Sequence, residues 1–238
     1  MKDMLDLIHS RTSVRIAFDP LRPIAKEDLT KILEAGRWAP TAHNMQNYEI
    51  VVVDDPVILD SLGNLTAPVT ETFLKENLKL LSFSEGELRR RKVGILSIGF
   101  PPDWTDPLKF EAVIRKGQPI PLRHTIAGSP VLLVITYDPG KRAPDSEGDV
   151  LGLVSLGCLM ENMWLMAESL GISVRIMSDL GDIPVTEQVK QVLGIPGRLH
   201  VVLGLRLGYP KNDPPAAPRV RRDLADFVHY NGYGKTHE

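Results

Sequence analysis

Runs of apolar and β-branched residues at four places in the chain predict strands. Three of the runs, 48–53, 131–137 and 200–207, are nearly continuous, which is typical of strands that are buried on both faces. A fourth and shorter run covers 173–177. We therefore expect a sheet of at least four strands.

Apolar residues at helical spacing predict short amphipathic helices between these strands. They cover about 3–10, 26–35, 56–62 and 184–193. Gly36 and Gly194 stand where a helix commonly ends. The stretch 68–127 is less regular, although Ser84 and Glu87 fit a capping box that opens another helix.

A longer helix, expected over 149–170, is apolar on every side. Glu161 is the only charged residue between 150 and 167. Eighteen such residues reach the lower limit for a membrane span, but Gly152, Gly157 and Asn162 interrupt the run. We interpret the helix as part of a core or of a dimer interface, because a helix without a polar face needs neighbours all round.

These elements predict an α+β protein. Strands and helices alternate but the helices come in blocks, so we expect a mixed central sheet flanked by helices on both faces. We predict a single domain over 1–238. Within it, residues 84–125 have the irregular, proline-broken character of a lid. Residues 211–238 form an extended tail whose last part, up to Tyr230, has a helical pattern.

Composition narrows the function. A net charge of −2 over 238 residues does not favour a nucleic-acid partner, and a single cysteine, Cys158, allows no disulfide framework. Acidic residues near Met1 stand where a signal peptide would be apolar, so we expect a cytoplasmic protein with no membrane partner. The chain contains no G-x-G-x-x-G, Walker A, G-x-S-x-G or H-E-x-x-H motif, and we predict no metal.

Four polar segments remain as candidate chemistry: 11–15, 40–46, 177–179 and the pair Arg219 and Arg221. Arginine forks suit a phosphate, although an isolated R-x-S-x-R is more often a solvated charge cluster. No segment supplies an obvious catalytic acid, base or nucleophile, and an enzyme without one usually borrows a cofactor. A phosphate-bearing cofactor with a planar, amide-like ring would use all four segments.

At these residues the sequence resembles the FMN-dependent nitroreductase family. The resemblance rests on five pieces in order: R-T-S-V-R followed by Phe18, the loop A-P-T-A-H-N-M-Q at 39–46, Gly157 with Asn162, L-G-I-P at 193–196 and L-G-Y-P at 207–210. Two departures are that Asn47 and Tyr48 follow Gln46 where the family often has Pro-Trp, and that 176–179 reads I-M-S-D where many members have a glycine-containing turn. For Asn44 and Asn162, a capped loop or a buried amide stays an alternative to ligand binding.

The resemblance implies an intertwined homodimer with two FMN sites at its interface. It implies that Arg11, Thr12 and Ser13, with Arg219 and Arg221, hold the flavin phosphate and ribityl chain, and that Arg15 lies at the pyrimidine edge. The partner subunit would contribute Pro40, Thr41, Ala42 and Asn44. The segment Met177, Ser178 and Asp179 would lie near flavin N5.

The expected activity is transfer of hydride from NAD(P)H through FMN to a nitroaromatic, a quinone or another small conjugated acceptor. Arg15 would stabilise negative charge on the reduced ring. Phe100, Trp104 and His124, in the lid-like region, would shape the acceptor pocket. The sequence leaves open dehalogenation, ring dehydrogenation, flavin fragmentation, a non-catalytic flavin carrier and a ligand-free structural dimer. It does not choose between NADH and NADPH.

Overall fold

A computed structural model describes residues 3–67, 70–92, 103, 106–116, 120–126, 128–214 and 219–236. The chain divides into two compact units. The first contains residues 1–68 and 119–214, and the second contains 69–118 and 215–238. The prediction of one domain over 1–238 stays a prediction.

The described residues form nine α-helices and six strands. The helices are α1 (Met4–Ser10), α2 (Lys26–Arg37), α3 (Pro56–Gly63), α4 (Glu71–Leu81), α5 (Glu85–Arg91), α6 (Phe110–Lys116), α7 (Arg123–Ile126), α8 (Val150–Ser169) and α9 (Ile183–Leu193). The strands are β1 (Tyr48–Val53), β2 (Thr66–Ala67), β3 (Ile120–Pro121), β4 (Val131–Tyr137), β5 (Ser173–Met177) and β6 (His200–Gly208). The α+β class is confirmed.

The main sheet of the first unit has the strand order β1-β4-β6-β5, and every neighbouring pair is antiparallel. Parallel pairing among the described residues is confined to an isolated bridge between Ser13 and Val174. The prediction of a mixed sheet was therefore wrong for its four strands. The reason is that an apolar run predicts burial of a strand but carries no information on its direction.

Helices cover both faces of this sheet, as predicted. On one face, Leu132 and Val134 of β4 pack with α3 and α9 through Leu62, Val185 and Val189. On the other face, Leu133 and Ile135 pack with α2 and α8. Alternate residues of β4 thus enter two different cores, which is why the strand is apolar without interruption.

Helix α8 is as apolar as expected, but only one side of it is covered. Leu159 and Met163 are fully buried, whereas Val150 is 66% and Val154 59% exposed. Within the described part of the chain it is the one helix long and apolar enough to cross a membrane by length and composition, with a third of that window buried. Its N-terminal half therefore leaves an apolar surface open in a single chain.

Two sequence-based predictions of helix ends were wrong. Gly36 lies inside α2 rather than ending it, because it is the point where α2 crosses α8: a Cβ there would lie 2.9 Å from Cγ of Met163. The tail is not helical up to Tyr230. Among its described residues after 218, the helical structure is a 3-10 turn at Leu224–Asp226. The apolar side chains there stay exposed, Leu224 at 73% and Phe227 at 47%, and a short helix that buries no apolar face is marginal in water.

The second unit shows that part of the irregular region is helical. Thr70 caps α4, and Ser84 with Glu87 forms the predicted capping box of α5. Lys92, at the end of α5, pairs with Asp226 of the tail turn within this unit. Each helix combines its cap with a narrow buried stripe, which is Leu74, Leu78 and Leu81 in α4 and Leu88 in α5.

Glycines make room for Phe18, which is fully buried. A Cβ on Gly208 would lie 2.6 Å from Cδ2 of Phe18 and 2.8 Å from Cδ of Pro130.

Because a packed core cannot absorb this overlap, we expect Gly208→Ala to lower the free energy of unfolding by about 1–3 kcal/mol. Denaturant unfolding measures this. Gly197→Ala is the control, since a Cβ at Gly197 has no atom within 4 Å, and an equal loss in both variants would contradict the account.

Candidate functional site

The segment after α1 runs beside the main sheet and carries Arg11, Ser13 and Arg15. The amide of Val14 donates to the Val174 carbonyl of β5 at 2.9 Å, and the Val14 side chain is buried. In an extended segment alternate side chains point to opposite faces. Burial of Val14 therefore turns Ser13 and Arg15 toward the other side, where they are half-exposed.

Arg11 is oriented by α8. Its Nε lies 3.0 Å from Oε1 of Glu161, and its guanidinium lies 4.3 Å from the ring centre of Trp164. The one charged residue in the apolar stretch of α8 thus serves to place this arginine. Contact of Arg11 with a phosphate stays a prediction.

Arg15 is a half-buried cation at the edge of the same sheet. Its Nη1 donates to the Ser13 carbonyl at 3.3 Å, and burial lowers the pKa of its guanidinium. Arg175 of β5 lies beside it and donates from Nη1 to the Arg15 carbonyl at 3.4 Å. Burial likewise lowers the pKa of Arg175, and the negative charge of Asp179 only partly opposes this. Among the described residues Arg15 pairs with no carboxylate.

The loop at 41–46 has an unusual backbone. His43, Asn44 and Gln46 all have positive φ angles, of 51°, 53° and 45°, in the left-handed region that most residues avoid. The loop is fixed by bonds from the Ala42 amide to Oγ of Ser155 on α8 and from the Gln46 amide to Oγ1 of Thr41, both 3.1 Å. Strained backbone of this kind concentrates at binding sites. Asn44 and the preceding Pro40 are exposed.

The end of β5 brings a buried carboxyl to the sheet edge. The side chain of Met177 is 2% exposed and belongs to a core cluster, so only its backbone can reach a ligand. Ser178 is exposed. Oδ1 of Asp179 is buried and accepts no hydrogen bond from the described residues. Burial raises the pKa of Asp179, and the nearby Arg175 partly opposes this.

The raised pKa of Asp179 leads to a prediction for the stability of the protein without a bound ligand. Its protonated form is favoured by folding, so this contribution is full below the unfolded pKa of about 3.9 and is lost as pH rises through the higher folded pKa. We expect Asp179→Asn to increase the free energy of unfolding at neutral pH and to have little effect under acid conditions. Denaturant melts at several pH values measure this. The exposed Asp54→Asn is the control, and a destabilised Asp179→Asn at neutral pH would contradict the prediction.

Arg206 is a residue that sequence reasoning missed. It lies in β6 directly opposite Arg175, is 1% exposed, and stacks on Phe18 with its guanidinium 4.1 Å from the ring centre. Burial and the charge of Arg175 lower its pKa to about 9, so it remains a cation at neutral pH. The available signal was an arginine inside an otherwise apolar strand.

The remaining predicted site residues lie either in the second unit or outside what the structure describes. Arg219 and Arg221 lie in the second unit, where Nη1 of Arg221 donates to the Val220 carbonyl at 2.8 Å. Phe100 and Trp104 lie outside the described residues, and of His124 only the backbone, in α7, is described. Their contribution to a pocket stays a prediction.

Asn162 joins two helices. Its Nδ2 donates to the Ala35 carbonyl of α2 at 3.1 Å. The side chain is half-buried, and this contact is of the kind that the buried-amide alternative predicts; the role of Asn162 toward a ligand stays a prediction. Together with the close approach at Gly36, this hydrogen bond fixes the crossing of α2 and α8. The 41–46 loop is bound to the N-terminal part of α8 through Ser155.

Similar solved structures have this fold. A nitroreductase with bound FMN from Bacteroides fragilis NCTC 9343 aligns over 100% of both chains, with a TM-score of 0.57 and 23% identity. A nitroreductase with bound FMN from Desulfitobacterium hafniense DCB-2 covers 98% of this chain and 100% of its own, with a TM-score of 0.57 and 22% identity. At these identities the likeness shows the fold.

Sequence comparison extends the likeness beyond the fold. An NADPH-dependent oxidoreductase of Staphylococcus haemolyticus (strain JCSC1435) is 24% identical over 229 residues, which are 96% of this chain and 73% of that protein. The family model described as "Nitroreductase family" matches residues 8–209. That match begins before the Arg11–Arg15 segment, ends after β6, and covers well over half of the sequence. The chain therefore belongs to the nitroreductase family.

Proposed function

We propose that this protein is an FMN-dependent oxidoreductase that takes electrons from NAD(P)H and passes them to a nitroaromatic, a quinone or another small conjugated acceptor. The observation that carries the proposal is Arg15, a half-buried cation that pairs with no carboxylate among the described residues and lies in line with Ser13 and Arg11. A cation removed from water in this way calls for an anionic partner. The FMN-bound relatives and the NADPH-dependent relative are consistent with that partner being a flavin.

The residues of the first unit fit an FMN molecule by their chemistry. Arg11 and Ser13 offer donors suited to phosphate and ribityl oxygens, with Thr12 exposed between them. The backbone of Met177, Ser178 and Asp179 would provide hydrogen-bonding groups near N5. In bound form, FMN would supply two-electron chemistry by accepting hydride from NAD(P)H.

Arg15 would do the electrostatic work. At the pyrimidine edge of the ring, its fixed guanidinium would stabilise the negative charge that develops on reduction. Its backbone is held by the sheet, because its carbonyl accepts from Arg175 at 3.4 Å, and its guanidinium donates to the Ser13 carbonyl at 3.3 Å. A charge that is already in place needs no reorganisation when the reaction occurs.

A homodimer completes the proposal. The exposed apolar half of α8, which comprises Val150, Leu151, Leu153 and Val154, needs a cover. A second copy of α8 would supply it through an isologous interface. In this arrangement the partner subunit would contribute the exposed Pro40 and Asn44 with Thr41 and Ala42. We expect the dimer to be cytoplasmic, with Phe100, Trp104 and His124 near the acceptor.

Anaerobic titration of the purified protein tests the function. The expected result is a yellow protein that releases FMN on denaturation, is bleached by NADH or NADPH, and regains its colour with a quinone or a nitroaromatic. A flavin that stays oxidised with both nicotinamides would point to a non-catalytic carrier. A colourless protein that FMN does not stabilise against heat would favour a ligand-free structural dimer.

The tail arginines can be tested separately. If Arg219 and Arg221 contact the phosphate, replacing both with glutamine removes two charge-assisted contacts, each worth about 1.5–3 kcal/mol. We expect the dissociation constant for FMN to rise at least about a hundredfold, with riboflavin binding unchanged because it has no phosphate. Flavin fluorescence titration measures both. An equal loss for FMN and riboflavin would contradict a phosphate role.

A further inference from the structure

Arg206 is expensive to bury, and packing does not explain it. Arg206 is 1% exposed, and it lies between Leu205 and Leu207 in strand β6. Removing a cation from water costs several kcal/mol, and apolar side chains of similar volume often replace buried charges without loss of stability. An arginine at this position therefore calls for a role other than filling the core.

The contacts of Arg206 indicate that role. Its Nη2 donates to the carbonyls of Val14, at 3.4 Å, and of Ile16, and the Phe18 ring covers the guanidinium. Arg175, directly opposite in register, donates to the carbonyl between them, that of Arg15. Three consecutive carbonyls of the segment are thus held by two arginines of the sheet. This is unusual, because like charges opposite each other on neighbouring strands are unfavourable.

We propose that Arg206 and Arg175 are positioning residues for the flavin: they hold the backbone of residues 14–16 and so fix where Ser13 and Arg15 present their side chains. The inference rests on the proposed FMN site. It also explains Phe18, three residues after Arg15, since its ring shields the buried cation. A catalytic group displaced by about 1 Å can lose about 10²-fold in rate.

Arg206→Met tests the inference through readouts other than turnover. We expect the FMN dissociation constant to rise about tenfold, which corresponds to about 1.4 kcal/mol, and the midpoint potential of the flavin that still binds to become more negative. In the FMN-free protein, the amides of residues 13–17 should exchange hydrogen faster. Arg206→Lys keeps the charge but not the planar guanidinium with its several donors. Its dissociation constant, midpoint potential and exchange rates should therefore lie between those of wild type and Arg206→Met.

The matched control is Arg198→Met, which removes an exposed arginine beside the opposite end of β6. Wild-type affinity, potential and exchange in Arg206→Met would overturn the inference, as would a loss of stability with an unchanged potential. If Arg206→Met does not fold, Arg175→Lys carries the test: it keeps the cation but should shift the potential and speed exchange, and wild-type values would overturn the inference. Hydrogen exchange needs no flavin. A wild-type protein that does not bind FMN therefore contradicts the proposed function alone, while the exchange data still decide the positioning role.

Discussion

Replacing Arg15 with glutamine is expected to slow reduction of the bound flavin by NADPH by about 10²–10³-fold, the loss typical when one preorganised donor to a developing charge is removed. Glutamine keeps hydrogen-bonding capacity and much of the side-chain volume but removes the charge. The midpoint potential of the flavin should become more negative at the same time. Anaerobic rapid mixing with NADPH measures the rate, and a spectroelectrochemical titration measures the potential.

Arg22→Gln is the control for this variant. Arg22 is an exposed arginine seven residues further along the chain, whose guanidinium lies 3.6 Å from the ring centre of Tyr209. It should leave both quantities unchanged. An Arg15→Gln protein that binds FMN and is reduced at the wild-type rate would show that Arg15 does not act on the ring.

Val154→Glu is expected to dissociate the protein and to abolish flavin binding. Val154 is 59% exposed on the apolar side of α8, and in the proposed dimer it would be covered by the second subunit. An unpaired carboxylate in such an interface costs about 3–5 kcal/mol. Sedimentation should therefore find a species near the chain mass of 26.4 kDa. FMN should be lost with the dimer, because each site would lack the 40–44 loop of the partner subunit.

Val57→Glu separates this effect from a general consequence of surface charge. Val57 is 74% exposed in α3, and an acidic residue in the first turn of a helix is favourable. This variant should keep the dimer and its flavin. A Val154→Glu protein that sediments as wild type and retains FMN would remove the dimer from the account.

Much of the fold could be predicted because burial is encoded locally. The β-branched run of β4 and the apolar length of α8 gave their elements within a residue or two. What could not be predicted depends on residues far apart in sequence. In the sequence, Gly36 has the pattern of a helix end, and only its contact with Met163 in the folded protein shows why a glycine is needed there. Strand direction likewise follows from topology, not from composition.

The site shows the same division. The pattern around Arg11 and Arg15 is local, so it could be singled out from the sequence. The role of Glu161 in orienting Arg11, and the carbonyl contacts of Arg206, need contacts across roughly 150 to 190 positions. A buried arginine also contradicts its usual preference for the surface, so the arginine inside the apolar strand β6 indicated an unusual position but not its contacts.

A structure of the protein with FMN bound is the most direct test of the central claim that the Arg11–Arg15 segment is the flavin site. The account predicts the Arg15 guanidinium within hydrogen-bonding distance of the pyrimidine edge of the ring, with Arg11 and Ser13 toward the phosphate end. A flavin bound elsewhere, or one whose ring edge is met by another residue while Arg15 points away, would contradict it.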